Sequence, residues 1–192
     1  MNRIGMDFLR KFVYHDVRES ICRTLIKKRK GYVKMDPQAK KTALRGITYG
    51  LYIVGTKDEN GVNGFAGNWL TQTSFEPPLV ALAVKAGTRS QEQIAKSGVF
   101  SVNVLETGQK EMVTAFFRSL EPEGNKLAGY EFYTEKTGCP IFKDALRFFE
   151  CQVVEKVEKG DHYIYVGEVI NAGVHRDGEP MTLKETGFYY GG

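Results

Sequence analysis

Three histidines and three cysteines are all that this chain of 192 residues contains. His15, His162 and His175 stand in unrelated contexts and no Cys-x-x-Cys occurs, so a structural metal site is not expected. Cys22, Cys139 and Cys151 cannot all pair within one chain, which fits reduced thiols and a cytoplasmic setting. No apolar run approaches the ~20 residues of a membrane span. The first residues mix acids with bases and lack the apolar stretch of a signal peptide. The net charge of +4 is mild and forms no concentrated basic face, so nucleic acid is not an expected partner. Gly-x-Gly-x-x-Gly and Gly-x4-Gly-Lys-[Ser/Thr] are both missing, which excludes the Rossmann and P-loop ways of holding a nucleotide. There is no Ser-His-Asp or Cys-His signature, no internal repeat and no low-complexity tract.

What is present is a globular composition, 42% apolar and 12% aromatic, in a length that suits one core. Residues 6–26 carry Phe8, Leu9, Phe12, Val13, Val17, Ile21, Leu25 and Ile26 mostly at helical spacing. Lys27-Lys28-Arg29-Lys30 suits the helix C-terminus and Gly31 its stop. This stripe is expected to pack on the rest of the protein or on a second subunit, with an anionic membrane surface as the alternative. Asp36-Pro37 opens a short helix. Strands then dominate: 46–57, a turn at Asp58-Glu59-Asn60-Gly61, 65–75, 79–85, 132–134, 145–157 and 162–175. Short helices are expected at 91–97, closed by Gly98, and at 109–118. The polar, Gly- and Pro-punctuated stretch 120–129 reads as a mobile surface loop. Many short strands with brief helices predict a mainly β protein, a closed antiparallel barrel.

The stretch from Asn63 to Val80 is the most informative. It holds the only tryptophan, Trp69, and sets Asn68, Thr71, Gln72, Thr73 and Ser74 ahead of Pro77-Pro78 and the apolar run 79–84. A proline pair cannot serve a sheet ladder, so the chain turns or runs along an edge there. Small polar residues at the rim of a buried sheet suit a polar, planar, phosphorylated ligand; by composition alone they also suit a solvated hairpin. Four pieces stand in order: Thr48–Val54 with the Asn63–Val80 segment, Thr88-Arg89-Ser90, Val99–Leu105, and Gly160-Asp161-His162 leading to Val169. Together they resemble the flavin reductase-like family, the FMN-binding split barrels that include flavoredoxins and NAD(P)H:flavin reductases, over roughly residues 40–190. The resemblance implies a split barrel at 35–192 behind an N-terminal helical extension at 1–34. It also implies a homodimer with the flavin near the subunit interface.

A flavin nucleotide asks for donors and positive charge at its phosphate, an apolar wall with backbone groups for its ring, and an open N5. Thr71, Thr73 and Ser74 with Thr88, Arg89 and Ser90 can meet the first demand. The second of these groups opens a helix, where free N–H groups favour an anion. Lys85 adds a second charge or is a strand-end lysine. Asn68, Trp69, Leu70 and Thr71 can meet the ring, although Trp69 equally suits a core or dimer anchor and Asn68 a turn cap. Gln72 falls in the same segment. Proteins of this family often carry Gly-Asp-His before a late strand, which marks His162 as the candidate near the reactive face, to stabilise charge on reduced flavin or seat a nicotinamide; the alternative is a turn histidine. Cys139 and Cys151 read as buried thiols without a chemical role. The aromatic tail from Glu185 to Gly192 is expected to pack, against the ligand pocket or a second subunit.

The function implied is a flavoprotein that reduces FMN, or FAD, with NAD(P)H and passes electrons to free flavin, a ferric complex or a redox protein partner. Two alternatives stand beside it: a flavoredoxin-like carrier that never meets NAD(P)H, and a non-enzymatic split barrel that binds a ligand or partner.

Overall fold

The computed structural model describes residues 35–118 and 120–191. The helix expected at 6–26, and the 1–34 extension with it, lie outside the described residues. The chain divides into two compact units at residue 44. Just before that point, helix α1 (Pro37–Leu44) begins where Asp36-Pro37 places it. The Asp36 carboxylate accepts from the N–H groups of Gln38 (3.1 Å) and Ala39 (3.2 Å), satisfying donors that the first turn leaves open.

Beyond residue 44, seven strands form one antiparallel sheet: β1 (Tyr52–Asp58), β2 (Gly61–Gly67), β3 (Leu70–Ser74), β4 (Leu79–Lys85), β5 (Val99–Val104), β9 (Arg147–Val157) and β10 (His162–Val174). Their order is β2-β1-β5-β9-β10-β4-β3. The β1–β2 hairpin turns at Asp58 and Gly61, which face each other across the ladder; Gly61 takes φ 118°, open to glycine at little steric cost. The two edge strands, β2 and β3, are consecutive in the chain and only Asn68 and Trp69 separate them.

One apolar cluster shows that the sheet rolls on itself. Val54, Phe65, Leu70, Leu82, Phe100, Cys151 and Tyr165 come from β1, β2, β3, β4, β5, β9 and β10 in turn; Phe65 and Leu70, partly buried, pack against the cluster and the others belong to it. Every strand thus sends side chains into a shared interior, while no ladder joins β2 to β3. The result is a barrel split between its edges. On the far side of β1, Ile53 and Leu105 join a second cluster with Met112, Val113, Phe142 and Met181.

Helix α2 (Arg89–Ser97) starts two residues before the expected 91 and ends as expected at Gly98, which has φ 68°. Helix α3 (Lys110–Ala115) is shorter than 109–118. The N–H groups of Phe116 and Phe117 bond back only three residues, to Val113 (3.1 Å) and Thr114 (3.3 Å), which tightens and ends it. The stretch 120–129 is exposed over 121–126, as its composition suggested, but it is tied down at both ends. It contains β6 (Lys126–Leu127), paired with β7 (Tyr130–Tyr133), which pairs in turn with β8 (Ile141–Phe142). Leu120 and Leu127, at 5% and 0% exposure, pin it to the second cluster. A last short helix, α4 (Leu183–Thr186), precedes the aromatic tail. No helix among the described residues is long and apolar enough to cross a membrane.

Candidate functional site

Where the two edges of the barrel meet lies a cavity of about 490 Å³. Its wall is built from Phe65–Gly67 at the end of β2, the connection Asn68-Trp69, and Ala83–Lys85 at the end of β4. Thr88 and Ser90 at the start of α2, His162 at the start of β10, and Phe188, Tyr189 and Tyr190 of the tail complete it, with Leu51, Phe117 and Leu183.

Asn68 is 8% exposed, yet its side-chain Nδ2 finds no hydrogen-bond partner among the described residues, and neither does the buried Nε1 of Trp69. Two consecutive donors without acceptors cost free energy unless a further group meets them. Across the cavity, Thr88 caps α2: its hydroxyl accepts from the N–H of Gln91 (3.3 Å) and donates to the carbonyl of Lys85 (2.9 Å). Ser90 accepts from Asn63 (3.0 Å). Lys85 is the one cation among the described residues that line this cavity.

His162 is 13% exposed at its side chain and is gripped at both nitrogens. Nδ1 lies 3.0 Å from the Asp161 carboxylate and Nε2 lies 2.7 Å from the Tyr190 hydroxyl. Its ring stands 4.6 Å from that of Trp69 between centroids, and Tyr190 sits edge-on to Trp69 at 5.4 Å. The hydrogen bond from His162, with the Lys85 charge as a smaller cause, holds the Asp161 carboxyl below the usual range. Burial, with the Asp161 charge, pushes the Tyr190 phenol up.

Of the residues singled out in the sequence, the structure gathers Asn68, Trp69, Lys85, Thr88, Ser90 and His162 around this cavity. Leu70, Thr71 and Gln72 line a second cavity of about 480 Å³ with Arg147 and Phe149. Thr73 and Ser74 line neither, on an edge strand whose middle is exposed. The Arg89 guanidinium is turned away: it donates to the carbonyl of Leu120 (3.2 Å) and pairs with Glu121. Cys139 and Cys151 are buried free thiols, and burial pushes them up to about 11 and about 12. Sequence reasoning missed Phe65–Gly67 and Phe117 as wall residues. The tail was flagged only by being too aromatic for a free end.

The profile described as flavin reductase like domain matches residues 44–192. The chain is 33% identical over 135 residues to a protein of Rhizobium meliloti named probable flavin reductase, covering 70% of this chain and 42% of that one. It is 34% identical over 136 residues to the reductase subunit HsaB of a flavin-dependent monooxygenase of Mycobacterium tuberculosis, covering 71% of each. Among solved structures, the NADH:FAD oxidoreductase SgcE6 of Streptomyces globisporus superposes with a TM-score of 0.68 at 26% identity, covering 81% of this chain and 95% of that one. The chain spans less than half the length of the Rhizobium meliloti protein, and 26% of the cyanobacterial diflavin flavoproteins it also matches.

Proposed function

This chain belongs to the flavin reductase-like domain family, and on that premise we propose that it binds FMN in the cavity beside Asn68 and Trp69 and reduces it with NAD(P)H. The carrying observation is the pair of unanswered donors, Asn68 Nδ2 and Trp69 Nε1, in the wall of a cavity large enough for such a ligand. They fit the carbonyl and nitrogen acceptors of a flavin ring. Lys85 and the Ser90 hydroxyl at the α2 end fit its phosphate, while the Thr88 hydroxyl already donates to the Lys85 carbonyl and holds the helix start in place. Bound flavin supplies the hydride acceptor. The protein holds it, shields it from water with Phe188 and Tyr189, and presents His162 to the incoming nicotinamide. No general base is required of the chain, since hydride transfer moves no separate proton to N5.

Reduced flavin would then go to a partner enzyme, to a ferric complex or into solution. Relatives named as reductase subunits of monooxygenases favour the first. The same reading carries a cytoplasmic homodimer. Phe75, Val154 and Val174, which are 88%, 51% and 68% exposed, are apolar side chains that a second copy would cover.

The test is a fluorescence titration. Trp69 is the only tryptophan and lies in the cavity wall, so FMN at this site quenches it in step with binding. Tighter binding of FMN than of riboflavin supports the phosphate end at Lys85–Ser90. Tighter binding of FAD would change the cofactor, and unchanged emission at saturating flavin would place the flavin elsewhere.

A further inference from the structure

Asp161 and Tyr190 hold the two nitrogens of one imidazole, and they do so with opposite chemistry. An ionised carboxylate accepts hydrogen bonds and cannot donate them. Asp161, whose carboxyl is held low, takes a hydrogen from Nδ1 of His162 across 3.0 Å, but its side chain is 92% exposed, so water competes for this bond and it does not fix the tautomer alone. With the hydrogen on Nδ1, the neutral imidazole has a lone pair on Nε2. The Tyr190 hydroxyl lies 2.7 Å from that atom and, kept protonated by its surroundings, donates to it.

Resting on the reading of this site as a flavin reductase, we propose that Tyr190 is a positioning residue that fixes His162 in its Nδ1–H tautomer and holds the imidazole against the indole of Trp69.

The tail is strung so that the Tyr190 hydroxyl reaches that atom. At one end, α4 carries a capping box between Thr182 and Glu185, and Glu185 also accepts from the N–H of Gly108 (3.1 Å). At the other end, Arg45 lies 4.9 Å from the centroid of the Tyr189 ring and donates to the carbonyl of Gly191 (3.4 Å). Gly191 backs onto the indole so closely that a Cβ there would sit 3.1 Å from Trp69 Cζ2. Packing accounts for the ring of Tyr190 edge-on to Trp69. It does not account for a hydroxyl placed on the one open atom of His162. Hydride transfer depends on the geometry of the groups around donor and acceptor, so an imidazole free to flip or change tautomer lowers the rate without loosening the flavin.

His175 provides an internal comparison. Its Nδ1 donates to the Ala145 carbonyl (2.8 Å) and its Nε2 lies 2.8 Å from the Tyr133 hydroxyl, the same pattern in a place Tyr190 does not reach. The experiment is nitrogen NMR of the full chain labelled at histidine, at mildly alkaline pH, with Tyr190→Phe as the variant. In the wild-type protein His162 and His175 both show an unprotonated Nε2. In Tyr190→Phe the His162 signals move towards a mixture of tautomers while those of His175 stay. The variant also loses about tenfold in kcat for flavin reduction and keeps its FMN Kd and NAD(P)H KM within about twofold. Unchanged His162 signals, or an equal change at His175, would overturn the proposal. A shift confined to His162 in a protein that never reduces flavin would sink the reductase reading while leaving the Tyr190–His162 pair standing.

Discussion

Lys85 and His162 face each other as the end pair of the β4–β10 ladder, so the cation and the imidazole of the cavity are held in register by backbone. Residues directly opposite on antiparallel strands point to the same face. A ligand that reaches from one to the other therefore finds a separation set by the sheet and not by a loop.

Lys85→Ala is expected to weaken FMN by about 1 kcal/mol and leave riboflavin almost unchanged. The figure is small because Lys85 is exposed and solvent screens its charge. Arg89→Ala is expected to change both ligands by less than about 0.5 kcal/mol, since its guanidinium is committed to Leu120 and Glu121. Calorimetry of the two variants with the two ligands separates them. An FMN-specific loss in Arg89→Ala larger than that in Lys85→Ala would make Arg89 leave Glu121 for the phosphate.

Glu150 carries an acid-sensitive part of the stability. It is fully buried, and its carboxylate accepts from the N–H groups of Thr137 (2.8 Å) and Lys136 (3.1 Å), from Asn171 Nδ2 (2.7 Å) and from the Thr137 hydroxyl. Burial pushes its carboxyl up, but these donors outweigh burial and hold it below the usual range. A group whose pKa falls on folding contributes stability above its unfolded value of about 4.3 and loses it as the pH drops through the folded value. Glu150→Gln should start about 1–3 kcal/mol less stable at neutral pH and lose less on acidification. Denaturant titrations at neutral pH and about pH 3 check this, and parallel acid limbs in the two proteins would refute it.

Removing residues 1–34 is expected to leave FMN binding within about twofold, because every wall residue among the described residues lies beyond residue 50. Sedimentation of the shortened chain, read with its flavin absorbance, reports both association and binding. Loss of flavin from a folded, shortened chain would place part of the site in that segment.

Local chemistry was legible in the sequence and distant contact was not. Asp36, the Asp58–Gly61 turn, and the Gly98 stop are set by hydrogen bonds and dihedrals within a few residues, so they appear where read. A mainly antiparallel β barrel followed from alternation and short spacing, but the expected strand 65–75 divides into β2 and β3, and the barrel stays open between them. The stretch 120–129 misled because its polarity outweighed two leucines, and only contacts from elsewhere in the chain show them buried. In the site, the Thr88 cap could be placed from its own neighbours, whereas the break at Asn68-Trp69 falls inside the single strand expected over 65–75. The division of Leu70–Gln72 from Asn68-Trp69 into separate cavities could not, because it depends on where the barrel splits. Nor could the grip of Tyr190 on His162, which spans 28 residues.

The central claim is that this cavity holds flavin for reduction by a nicotinamide nucleotide. It is tested most directly by anaerobic stopped-flow mixing of the FMN-loaded protein with NADH and with NADPH, watching the visible flavin absorbance. The account predicts bleaching within single turnovers by at least one of the two, much faster than for free FMN, and slowed in His162→Ala more than FMN binding is weakened. Flavin that stays bound and oxidised in the presence of both nucleotides would contradict it, and would leave an electron carrier reduced by some other protein.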